Sequence, residues 1–71
     1  MNKEEFEHEW NLSKSHTKCV FLTESSFILA TAHQVHSYDG GGVSLQYEHD
    51  IVAVVAFNLI MKVRGTLRES D

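Results

Sequence analysis

From Ile51 to Val63 the odd positions are Ile51, Ala53, Val55, Phe57, Leu59, Met61 and Val63, all apolar. The even positions begin as Val52, Val54 and Ala56, then become Asn58, Ile60, Lys62 and Arg64. Successive side chains of a strand point to opposite faces. A strand here has one apolar face and a second face that turns from buried to wet along its length. The competing reading is a buried helix with a narrow stripe through Asp50, Val54, Asn58 and Lys62. Ala, Leu and Met favour that helix, whereas the Val and Ile content and the strict alternation favour the strand.

Upstream, residues 2–13 read as a helix. Asn2 is placed to cap it, and Glu5, three residues on, completes a capping-box pattern. Glu4, Glu5 and Glu7 stand in or near the first turn, where the helix dipole favours negative charge. Phe6 and Trp10, four apart, share one side and are expected to dock on a sheet. Strands are expected at 17–22, with Val20 and Phe21 in the core, at 27–38 and at 43–64. Turn residues separate them at Thr23-Glu-Ser-Ser and at Asp39-Gly-Gly-Gly. A three-residue loop at Gly40–Gly42 sets Asp39 opposite Val43, Val35 opposite Tyr47, His33 opposite His49, Thr31 opposite Ile51 and Phe27 opposite Val55. That register gathers the large apolar residues of both strands on one face. Gly65 ends the last strand and 66–71 reads as a frayed tail. The expected architecture is α+β or mostly β: an N-terminal helix followed by a bent antiparallel β-meander or small barrel.

Seventy-one residues make a single domain, 1–71, near the lower limit for an unaided core. Self-association is a direct way for such a chain to bury more apolar surface, so a homo-oligomer is expected. Cys19 stands alone, which excludes an intramolecular disulfide and a cysteine-based zinc cage. The first residues are acidic where a signal peptide is basic and then apolar. The run after Asp50 is too short and too interrupted to span a bilayer as a helix. A cytoplasmic protein without a membrane partner is the expectation. The net charge of −4 disfavours tight nonspecific binding to nucleic acid.

The residues that could carry chemistry form no convincing constellation. His33 and His36 fall on opposite faces of a strand, and a His33–His49 pair across strands falls short of the three or four ligands that zinc uses. Cys19 lies in a strand, where a buried inert thiol is usual. No serine sits in a Gly-x-Ser-x-Gly elbow. The glycine run lacks the Lys-Ser/Thr of a phosphate loop and reads as a hairpin. Glu48 and Asp50 share a strand face that is expected to be solvated. No catalytic residue, metal, cofactor or small-molecule substrate is therefore assigned. Phe6 and Trp10 read first as core; as an exposed anchor they would form a partner-binding set with Lys62 and Arg64.

Tyr47-Glu-His49-Asp-Ile51-Val-Ala-Val54-Val55 resembles the second conserved motif of Hfq, the bacterial branch of the Sm-like RNA-binding proteins, which reads Tyr-Lys-His-Ala-Ile followed closely by paired valines. Ser37-Tyr38-Asp39 is similar to the Ser-Phe-Asp that precedes it. The resemblance implies an N-terminal helix leading into a bent five-stranded sheet, assembly as a ring, and contact of Tyr47 and His49 with U-rich RNA. Separately, Lys62 and Arg64, two apart and so on one strand face, are placed to meet either RNA phosphates or the acidic helix of a neighbouring subunit. Glu48 stands where the family has lysine, the segment from Asp39 to Tyr47 is shorter than the family's, and the chain continues through Phe57–Gly65 beyond the family core. The leading expectation is a small non-catalytic regulator, adaptor or inhibitor acting by protein contact and self-association. An Sm-like ring that binds single-stranded RNA is the alternative.

Overall fold

The helix begins where Asn2 and Glu5 put it. In a computed structural model that describes residues 1–37 and 41–66, α1 spans Lys3–Leu12. The Asn2 side chain accepts from the Glu5 amide at 2.8 Å, and the Glu5 carboxylate accepts from the Asn2 amide at 2.9 Å. Both members of the capping box are formed.

Among the described residues six strands follow: β1 (Lys18–Phe21), β2 (Phe27–Ala30), β3 (Ala32–His36), β4 (Gly42–Tyr47), β5 (Asp50–Ala56) and β6 (Lys62–Gly65), with a 3-10 turn over Phe57–Leu59. They form two antiparallel sheets of three strands, ordered β2-β1-β6 and β3-β4-β5. The fold is α+β and mostly β, and among the described residues the sheets do not close into a barrel.

Both long predicted strands are divided. The segment at 27–38 breaks at Thr31, which lies alone between β2 and β3 and passes the chain from one sheet to the other. Thr31 donates its amide to the Gln46 carbonyl at 2.7 Å, and its hydroxyl accepts from the Glu48 amide at 3.0 Å. These bonds tie the bend to the next turn. The segment at 43–64 folds back at Glu48-His49, where Glu48 takes a left-handed φ of 60°. After β5 the 3-10 turn ends the alternation, so Ile60 is buried while Leu59 and Met61 are exposed. The helical alternative for 51–63 survives only as that single turn.

The hairpin register differs from the expected one. Val35 pairs with Val43 and His33 with Leu45, four positions earlier on the partner strand than expected. Phe27 and Leu29 do not reach β5 at all; they pair with Phe21 and Cys19 of β1. The physical reason is the bend at Thr31, which leaves only β3 to pair with β4. The expected positions of Tyr38, Asp39 and Gly40 and of 67–71 lie outside the described residues.

The core is one cluster: Phe6 and Trp10 from α1 with Val20, Ala30, Val43, Leu45, Val55, Phe57, Ile60 and Val63. Phe6 meets Phe57 at 5.5 Å between ring centroids, and Trp10 meets the edge-on ring of His33 at 4.6 Å. His33 Nε2 lies 3.0 Å from the Glu7 carboxylate. The buried Lys18 lays its Nζ 4.8 Å from the Trp10 ring centre and donates to the Ser15 carbonyl at 2.7 Å. Phe21, expected in the core with Val20, is only half-buried because it points to the opposite side of β1.

Candidate functional site

A ten-residue helix with its two buried aromatic anchors can cover only one side of the sheets. The uncovered side of β2-β1-β6 follows from the pairing. Phe27 lies opposite Phe21 and Phe21 opposite Lys62, and Leu29 lies opposite Cys19 and Cys19 opposite Arg64. These six side chains share one face, because alternation sends Ile28, Val20 and Val63 to the other. Phe27 is 49% exposed and Leu29 39%. A shallow hollow of about 360 Å³ joins Phe27 and Leu29 to Tyr47 and Val52. Ile51 and Val54, further along the chain, are exposed as well. Scattered apolar residues are normal on a surface, whereas neighbours of this size in one tract mark a contact site.

Lys62 and Arg64 border this face, and both meet acids. Lys62 Nζ stands 4.8 Å from the Phe21 ring centre and 3.7 Å from the exposed Glu24 carboxylate. Arg64 Nη1 lies 3.3 Å from Glu9 Oε1 of α1, so it meets the acidic helix of its own chain. Tyr47 ends β4 beside the hollow. His49 sits in the exposed turn between Glu48 and Asp50. The four residues expected to meet RNA thus fall into an acidic turn with Tyr47 and His49 and, on another strand, two cations engaged by carboxylates. Phe6 and Trp10 are fully or almost fully buried and hold α1 on the core, as their first reading has it, and do not stand out as exposed anchors. The His33–His49 pair does not form, because the register places His33 opposite Leu45 and under α1.

Alternation read 27–38 and 51–63 as core faces, and so missed Phe27, Leu29 and Ile51 as surface. A signal was available in the proportions of the chain, since one short helix leaves a second face of the strands without cover.

The outer strands are β2 and β6 of one sheet and β3 and β5 of the other, and β5 and β6 differ in their cover. Val63 lies on β6, and its outward amide donates to Glu9 Oε1 at 2.9 Å. The Glu9 carboxylate closes that edge, and Arg64 closes around it, with the His8, Leu12 and Ser13 side of α1 and its end facing β6 across a cleft of about 650 Å³. Nothing comparable covers β5 among the described residues. The Phe57 amide donates to the Gly41 carbonyl in continuation of the β4–β5 register. Hydrogen-bonding direction alternates along an antiparallel strand. The backbone groups of Ala53 and Val55 therefore point to β4, and those of Val54 and Ala56 point away from the sheet. Val52 is the extra residue of a bulge that lies across from Leu45 and Gln46.

Among the described residues, no three His, Cys, Asp or Glu side chains converge as a metal site. Burial pushes the Cys19 thiol up, away from the reactive thiolate form. No described helix is long and apolar enough to cross a membrane. No family model matches the sequence, and no curated protein or solved structure matches it.

Proposed function

We propose that this chain is a small non-catalytic regulator, adaptor or inhibitor that works by protein contact. The observation that carries this reading is the uncovered apolar face, in which Phe27 and Leu29 stand on β2 beside Tyr47 and Val52. Such a face favours a partner that buries aromatic and aliphatic surface, at about 25 cal/mol for each Å² removed from water. Lys62 and Glu24 at its border supply a polar rim of both signs.

The RNA reading draws on Tyr47 and His49, exposed together around the tight turn after β4. Glu48 and Asp50 flank His49 there, and a phosphate would meet two carboxylates before any cation. Apolar surface is more abundant on this molecule than positive charge, and protein contact is the better-supported function.

The test uses the tagged chain and its Phe27→Lys variant. The wild-type chain is expected to retain a stoichiometric protein complex as salt is raised, and Phe27→Lys is expected to lose it with the fold intact by circular dichroism. In parallel, a fluorescent U-rich RNA is titrated against the chain. Binding of that RNA with steep salt dependence, and no complex sensitive to Phe27, would overturn the proposal in favour of the ring.

A further inference from the structure

We infer that the partner lays an extended segment of apolar and basic residues along the open edge of β2, as an added strand with a large apolar side chain in the hollow beside it. The inference rests on the protein-contact reading above and names the chemistry of the partner.

The hollow has a wall of backbone. Between β1 and β2 the Leu22 amide donates to the Ser26 carbonyl at 2.9 Å, in line with the pairs Val20–Ile28 and Lys18–Ala30. Hydrogen-bonding direction alternates along an antiparallel strand, so Ile28 and Ala30 turn their backbone groups to β1 while Phe27 and Leu29 turn theirs away. Thr31, two residues further on, donates its amide to the Gln46 carbonyl of β4 at 2.7 Å. The outward side of β2 is therefore the side toward β4. But β4 ends at Tyr47, where the chain turns off into β5. Phe27 and Leu29 are left with backbone groups that no described strand pairs. These two residues, with Ile28, Tyr47 and Val52, line the hollow of about 360 Å³. β3 and β5 are outer strands too; at β2 unpaired backbone groups and an apolar hollow stand together. An apolar small molecule filling the hollow would cover those amides and carbonyls without satisfying them. An extended peptide supplies main-chain groups for the edge and alternate side chains for the hollow.

Charge decides the composition of that peptide. β2 itself, Phe27-Ile-Leu-Ala30, is uncharged. Tyr47 and Val52 are joined by Glu48-His49-Asp50-Ile51, so two carboxylates stand in the turn at one end of the hollow. Among the described residues no cation meets either of them. The ion pairs formed there are His33 with Glu7, Lys62 with Glu24 and Arg64 with Glu9. Lys62 and Arg64 lie on β6, across β1 from the open edge of β2. A segment with Lys or Arg beside its apolar residues meets Glu48 and Asp50 favourably, and an acidic one is repelled. A second copy is the poorer fit, since it brings a net charge of −4 and its Lys62 and Arg64 are already engaged.

The experiment selects short random peptides, displayed as a library, against the full chain. Selection is expected to enrich apolar residues at alternate positions flanked by Lys or Arg. On an enriched peptide, N-methylation of one alternate set of amides is expected to weaken binding about tenfold, and of the other set to leave it unchanged, because only one set faces the edge. Hydrogen exchange at the Phe27 and Leu29 amides is expected to be fast in the free chain and slowed by the peptide. Replacing the peptide's Lys and Arg by Glu is expected to weaken binding, and Glu48→Gln with Asp50→Asn to narrow that difference. Enriched peptides whose two N-methylated forms bind alike, or that leave the Phe27 and Leu29 amides unprotected, overturn strand addition. Amides already protected in the free chain, with protection lost as the mass falls to 8.1 kDa on dilution, give the edge to a second copy and overturn the foreign peptide. No enrichment overturns the inference as well. A salt-resistant complex lost in Phe27→Lys then leaves protein contact standing, and its absence removes both readings.

Discussion

Trp10 is held by neighbours of different chemistry. Its ring packs on Phe6 at 5.6 Å, meets His33 edge-on at 4.6 Å and lies beneath the Lys18 ammonium at 4.8 Å. Removing it leaves a void between α1 and the sheets and strips a buried lysine of its aromatic partner. Trp10→Ala is therefore expected to cost about 3–5 kcal/mol of stability, the usual range for a buried aromatic. Thermal unfolding followed by circular dichroism measures it; an unchanged melting temperature would contradict the burial described above. Sequence patterning identified Phe6 and Trp10 as core because a four-residue spacing on a helix is a local signal. It did not find His33 or Lys18 beside them, since both arrive from strands whose placement depends on the register.

Legibility of the elements followed the same division between local and distant causes. The capping box of α1 is written within four residues, Asn2 to Glu5, and it forms as read. The breaks in the strands are not written locally. Thr31 is β-branched and suits a strand on either side; what bends the chain there is its bonding to Gln46 and Glu48, far along the sequence. The turn at Glu48-His49 carries no glycine, asparagine or proline, and a left-handed glutamate gives no warning. The 3-10 turn at Phe57–Leu59 hides inside perfect alternation. Each missed break reversed which side chains face water, and for that reason the apolar surface around Phe27 was the least legible part of the candidate site. Close packing between elements yields a further expectation at the end of β6. A methyl group on Gly65 would collide with the Ser15 hydroxyl and come 2.6 Å from that of Ser13. Gly65→Ala must push the connection after α1 away from β6, and a loss of about 1–3 kcal/mol is expected in denaturant unfolding, the cost usual for overpacking. Ser13→Ala and Ser15→Ala together in that background should recover part of it.

The whole molecule has the form of a half-covered pair of sheets, with α1 over one side and the Phe27 tract on the other. Its edges are unequal, because the Glu9 carboxylate reaches from α1 to the Val63 amide and no described side chain does the same for β5. Replacing Glu9 by alanine removes that acceptor and frees Arg64 as well. Glu9→Ala is expected to cost about 1–3 kcal/mol in thermal unfolding, because the part-buried Val63 amide loses its acceptor. An unchanged melting temperature would show that the Val63 amide is satisfied without Glu9.

The carboxylate of Glu9 thus serves two purposes at one point, holding α1 on β6 and closing the edge of that strand. An open strand edge is a template for another chain, and a side chain that takes up its outward amide removes that template. What keeps β6 from acting as such a template is an acceptor oxygen 2.9 Å from a backbone amide.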